Sequence, residues 1–104
     1  MCVVALSWNA YPQWRLLLAG NRDEFHARPS DALTRWEESG VIAGRDLQSG
    51  GTWVGLDRRG RMAVVTNVRD GFAKPHAGPS RGALHVAFLE GAKDAAATTA
   101  TLSA

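Results

Sequence analysis

One cysteine, Cys2, is all the thiol in these 104 residues, which excludes a disulfide framework and any site built on a cysteine cluster. The three histidines, His26, His76 and His85, lie far apart and show no ligand spacing, so no metal is expected. No apolar run approaches the roughly eighteen residues that a membrane-crossing helix needs. The opening stretch, MCVVALSWNAYPQW, has neither a basic leader nor a long apolar segment, so it does not read as a secretory signal, and a cytoplasmic protein is expected. Charge of one sign is scarce as well, with a net +2. The basic excess gathers between Thr52 and Arg81, where Arg58, Arg59, Arg61, Arg69, Lys74 and Arg81 face only Asp57 and Asp70. Aromatic residues do not interleave with it and no nucleic-acid module accompanies it, so no nucleic-acid partner is expected. It reads as a solvated face that can attract an anionic ligand.

What is present suits one small α+β domain spanning residues 1–104. Apolar residues make up 45% of the chain, and four Trp with three Phe give bulk for a core. Cys2–Trp8 reads as a short strand, Asn9–Gln13 as a turn around Pro12, and Trp14–Gly20 as an antiparallel partner strand. Asn21 begins an irregular segment in which Asp31–Glu38 is expected to hold a short helical turn. Gly40–Gly44 is a brief strand-like run. Thr52–Leu56 and Arg61–Val68 flank DRRG, with Gly60 where a left-handed residue is easiest, and read as a β-hairpin. Ser80 stands where an N-cap would, with Leu84, Ala87, Phe88 and Gly91 on one helical face. The Ala-rich tail extends as a second helix. The layout is an antiparallel sheet followed by one or two C-terminal helices. A four-stranded sheet with one helical layer leaves a face uncovered, for self-association or for residues beyond 104 in a longer parent to cover.

Chemistry gathers where the greasy run of the second strand stops. LLLAG gives way to Asn21, Arg22, Asp23 and Glu24 within one step. If the first two strands pair, this quartet arrives beside Cys2. Removal of Met1 would leave Cys2 with a free α-amine titrating near about 7.7–8.0, a general base that needs no histidine. Arg22 can stabilise a thiolate or hold a carboxylate in its planar fork, and Asp23 can orient the protonated amine. Asn67, at the end of AVVTN, can donate its carboxamide NH₂ to an oxyanion. Each residue also has a plain reading: a packed thiol, an ion-paired turn, and an Asn that begins the next loop. Gly50-Gly51 either cradles an anion or lets its loop turn tightly.

Taken together, Met-Cys at the start, LLLAGNRDEFHARP, AGRDLQSGGTWVGLDRRGRMAVVTNVRD and PSRG resemble the NRDE family, also called the transport-and-Golgi-organisation-2 family, over roughly Met1 to Gly91. The resemblance implies the N-terminal part of an N-terminal-nucleophile-hydrolase-like αββα sandwich, similar to the penicillin acylase and bile-salt hydrolase branch. It implies a longer domain, of which this chain would be an N-terminal fragment. Cys2 then matches the branch's nucleophile, Arg22 and Asp23 its Arg and Asp in kind, and Asn67 its oxyanion-side Asn. The spacing departs, since that branch separates its Arg and Asp whereas these adjoin. Asn21, Glu24, Arg45 and Trp53 complete the set as candidate ligand-binding residues. The family's biochemistry is unsettled, with eukaryotic relatives linked to Golgi organisation, lipid metabolism and haem handling.

Two functions follow as expectations. As an enzyme, the chain is a cysteine amidohydrolase or acyltransferase acting on a small amide or thioester, without a cofactor. As a carrier, it holds a hydrophobic anionic small molecule such as haem or an acyl-CoA, with Arg22 on a propionate or phosphate and Cys2 or His26 on iron. No C-x-x-C-H occurs, so covalent haem attachment is not expected. A purely structural role in an assembly stands behind both, because it leaves the polar cluster unexplained.

Overall fold

A computed structural model describes residues 2–66, 78, 80–92 and 94–103. The architecture is α+β, with antiparallel sheets first and two short helices at the C-terminus. It divides into two compact units, 1–25 together with Thr66, and 26–65 together with the C-terminal helices. The first is a hairpin of β1 (Val3–Tyr11) and β2 (Trp14–Asn21). The second carries a four-stranded sheet in the order β3 (Ser30–Arg35), β4 (Ile42–Asp46), β5 (Val54–Leu56), β6 (Met62–Val64), then α1 (Gly82–Glu90) and α2 (Ala95–Ser103).

The hairpin forms where the two short apolar runs about Pro12 predict it, but β1 runs three residues beyond Trp8. Its ladder is regular from Val3↔Asn21 to Trp8↔Leu16 and resumes at Tyr11↔Trp14 after an irregularity. There Asn9 adopts φ 53°, a left-handed conformation that Asn tolerates better than most residues. Pro12 and Gln13 alone make the turn.

In the second unit, the stretch Asp31–Glu38, expected to hold a helical turn, mostly forms β3 instead. Every residue of β3 is exposed, so the strand lacks the half-buried alternation by which strands are recognised. Pairing with β4 holds it at the sheet edge. The hairpin β5–β6 closes through DRRG as expected, with Gly60 at φ 80°. The strand begun at Arg61–Val68 is described only to Thr66, with β6 itself at Met62–Val64.

The core of this unit is Trp36, Val41, Ala43 and Leu89, with Ala63, Val86 and Phe88 packed against it. Helix α1 therefore covers one face of the sheet, and of the expected face only part turns inward: Phe88 packs against the core. His85 and Leu89 are buried, whereas Leu84 and Ala87 are exposed. Apolar residues surround α1, so periodicity alone could not choose its inner face. Close backbone contact chooses it. A Cβ on Gly51 would sit 2.7 Å from the Gly82 carbonyl carbon, so the double glycine brings its loop against the first turn of α1. The Ser80 hydroxyl accepts the Gly82 N–H at 3.2 Å, one residue short of the cap position taken by Arg81.

The last turn of α1 is tied down by the β5–β6 turn. Asp57 is 8% exposed and accepts N–H bonds from the Arg59 and Arg61 backbones at 2.8 and 2.9 Å, and from their Nε atoms at 3.1 and 2.5 Å. Thus aligned, both guanidinium groups donate to the Gly91 carbonyl, at 2.6 and 2.7 Å, and Arg61 also to Phe88 O at 2.9 Å. Carbonyls at a helix C-terminus carry partial negative charge and lack partners in the helix, so two cations satisfy both needs. This corrects the reading of the basic stretch as a merely solvated face: Arg59 and Arg61 cap a helix. Burial works to raise the Asp57 carboxyl's pKa, but the hydrogen bonds from Arg61 and Arg59 outweigh it and hold it at about 2.

Candidate functional site

Because β2 runs antiparallel to β1, the end of its apolar run returns to the start of the chain. Val3 lies opposite Asn21 and Val4 opposite Gly20. Beyond that register the two chains are joined through side chains. The Val3 N–H donates to Asn21 Oδ1 at 3.2 Å, and the Asp23 N–H donates to Cys2 Sγ at 3.4 Å. The structure thus brings Cys2, Asn21 and Asp23 to one end of one hairpin.

Cys2, Arg22, Asp23 and Glu24 are all half-buried there, while Asn21 is exposed. The guanidinium of Arg22 stands 4.0 Å from a carboxylate oxygen of Glu24, whose other oxygen accepts the Phe25 N–H at 2.9 Å. Glu24 therefore holds the corner in shape and shares the charge of Arg22. A sulfur that accepts a backbone N–H is better placed to carry negative charge than one packed among hydrocarbons.

The remaining candidates lie elsewhere. Arg45 and Trp53 belong to the second unit. Arg45 stacks 3.8 Å over the Trp36 ring and pairs with Glu38. The Trp53 ring packs over Gly44, where a Cβ would come within 2.7 Å of it. Since Gly44 and Arg45 are neighbours on β4, strand alternation directs Arg45 and Trp53 to opposite faces of the sheet. Asn67 lies outside the described residues. Among the described residues no group of three or more His, Cys, Asp or Glu could hold a metal ion.

Two further roles were hidden in the motifs. Asp46 accepts the Gln48 and Ser49 N–H groups at 3.0 and 3.4 Å and pairs with Arg28 at 2.6 Å. Burial opposes its ionisation, yet Arg28 and the loop N–H groups bring its pKa down to about 2. An Asp followed two residues on by small polar residues and glycine is a side-chain-to-backbone turn signal, so this one was open to sequence reasoning. The use of Asn21 Oδ1 as an acceptor for the Val3 N–H carries no comparable signal.

The family described as Transport and Golgi organisation 2 matches residues 1–104. A mouse relative, "Transport and Golgi organization 2 homolog", is 36% identical over 97 residues, which is 86% of this chain and 35% of the relative. The human "Transport and Golgi organization protein 2 homolog" is 37% identical over 75 residues, 64% of this chain and 27% of its own. The Drosophila melanogaster "Transport and Golgi organization protein 2" is 33% identical over 92 residues, 79% and 32% respectively. The chain spans about a third of the length of these curated relatives. No solved structure matches it.

Proposed function

The chain belongs to the Transport and Golgi organisation 2 family, and from that premise we propose that Cys2 is the nucleophile of a cysteine amidohydrolase or acyltransferase acting on a small amide or thioester. The observation that carries this reading is the Asp23 N–H on Cys2 Sγ at 3.4 Å, half-buried and beside Arg22. A thiol held this way has a donor for its anionic form, with Arg22 next in sequence to that donor, at a position where loss of one residue supplies a base.

In the proposed cycle Met1 is removed and the thiol passes its proton to the α-amine of Cys2. The thiolate attacks the substrate carbonyl carbon, forming the C–S bond and moving the C=O electron pair onto oxygen, to which Asn67 donates. Collapse of that oxyanion expels the amine or thiol, which takes the proton held on the α-ammonium. Water, deprotonated by the same amine, then attacks the thioester and releases acid and free Cys2; a nucleophilic acceptor in place of water gives acyl transfer. The Asp23 carboxylate orients the ammonium, and Arg22 holds an anionic group of the substrate. The same reading takes the sheets and helices as the leading part of an αββα sandwich in a cytoplasmic protein.

The test is intact mass with acyl labelling. The reading expects loss of the Met1 mass and an adduct from a thiol-reactive acyl probe that maps to Cys2 at pH 7 and disappears in Cys2→Ala. A retained Met1 removes the base from the mechanism and contradicts it.

A further inference from the structure

We infer that Asn21 is a positioning residue for the Cys2 nucleophile: its side-chain oxygen holds the Val3 amide, and thereby the thiol, in the grip of Asp23. This rests on the proposed role of Cys2 and goes beyond it, since nothing in that reaction requires an asparagine at position 21.

A residue at or next to an N-terminus frays unless its neighbours are tied down. For a cysteine carrying a free amine, two soft torsions decide where the sulfur lies relative to the strand: ψ, which turns the following peptide plane, and χ1. The Val3 N–H belongs to that following plane. Its bond to Asn21 Oδ1 at 3.2 Å fixes the plane and so restricts ψ of Cys2. The Asp23 N–H on Sγ, at 3.4 Å, then restricts χ1. Each bond answers one torsion, and both come from the same turn of chain, two residues apart.

The pattern also differs from a ladder that merely ends. Val3 and Asn21 are directly paired in register, and at this rung the Val3 N–H donates to a side-chain oxygen. An exposed Asn at a strand end would ordinarily serve solvent or begin a turn. Here its carboxamide instead reaches back across the hairpin.

The test is the pH–rate profile of Cys2 alkylation by iodoacetamide on the full chain, in about 0.5 M salt so that exposed charges are screened. For Asn21→Ala the rate at pH 7 is expected to fall about fivefold, the equivalent of one net hydrogen bond. It converges with the parent rate near pH 10, where every thiol is ionised. Asn21→Asp keeps an acceptor oxygen at the same reach and brings the pH 7 rate back to within about twofold of the parent. A merely structural defect would leave both variants slow or both fast and would not track the acceptor. An Asn21→Ala profile that overlays the parent overturns the inference, as does one displaced equally at all pH values. The outcome is separable from the proposed function. Absence of an acyl adduct on the parent chain sinks the hydrolase, whereas the alkylation profiles need no turnover and report on Asn21 alone.

Discussion

The hairpin of β1 and β2 and the unit built on β3–β6 and α1 spend their side chains differently. The hairpin presents Val3, Leu6, Trp8, Tyr11, Trp14 and Leu17 to the outside, with Trp8 60% and Trp14 59% exposed, and its specific polar bonds gather at the end that holds Cys2. The second unit buries Trp36, Val41, Ala43 and Leu89 and commits Asp46, Asp57, Arg28, Arg59 and Arg61 to bonds within itself. Charge in one unit is consumed by folding; at the end of the other, Arg22, Asp23 and Glu24 follow the strand whose neighbour holds a thiol. Strong polar residues in a motif are therefore no guide to chemistry until their partners are known.

The sharpest way to break that contrast is to remove Asp57. Its loss leaves two arginines without their aligning carboxylate at the end of α1, and Asp57→Ala is expected to cost about 3 kcal/mol in urea unfolding. Cys2 alkylation at pH 7 in the folded variant should stay at the parent rate; if it falls as well, the two units are not separate in function. Acid sharpens the same point. Asp46 and Asp57 are both held at about 2, below the ordinary 3.8. Groups with depressed values stabilise above pH 3.8 and lose that contribution as pH falls toward 2. Each is worth about 2 kcal/mol by that difference, so unfolding midpoints measured from pH 5 down to pH 2 should drop most steeply below pH 4. A flat profile there would mean that the carboxylates are not engaged in solution.

A smaller effect is expected at Gly51→Ala, where the new Cβ meets the backbone of Gly82. Moving the loop off α1 should cost about 1–2 kcal/mol in thermal unfolding, while an unchanged midpoint would show that the close approach is dispensable. The smallest is Trp14→Thr on the hairpin. An exposed side chain replaced by another strand former should change stability by less than about 0.5 kcal/mol; a loss above about 2 kcal/mol would show that this face is covered in solution.

The hairpins were legible because short apolar runs, Pro12 and Gly60 are local signals. The meeting of Cys2 with the NRDE corner followed from antiparallel pairing alone. Strand β3 was not legible, since its residues SDALTR are exposed on both faces and only β4 makes them a strand. Nor was the inner face of α1, because Leu84 and Leu89 are equally apolar and a glycine contact from a distant loop decided between them. The arginine cap was hidden for a related reason. A run such as DRRGR looks the same whether it faces water or the end of a helix thirty residues later.

The most direct test of the central claim, that the opening thiol is the reactive centre of the molecule, is to map the acyl adduct by peptide mass spectrometry after labelling at pH 7. The account predicts a processed N-terminus and modification at Cys2 that weakens when Asp23 or Arg22 is replaced by alanine. An intact Met1, or a Cys2 left unmodified while the probe is hydrolysed or bound elsewhere, would contradict it.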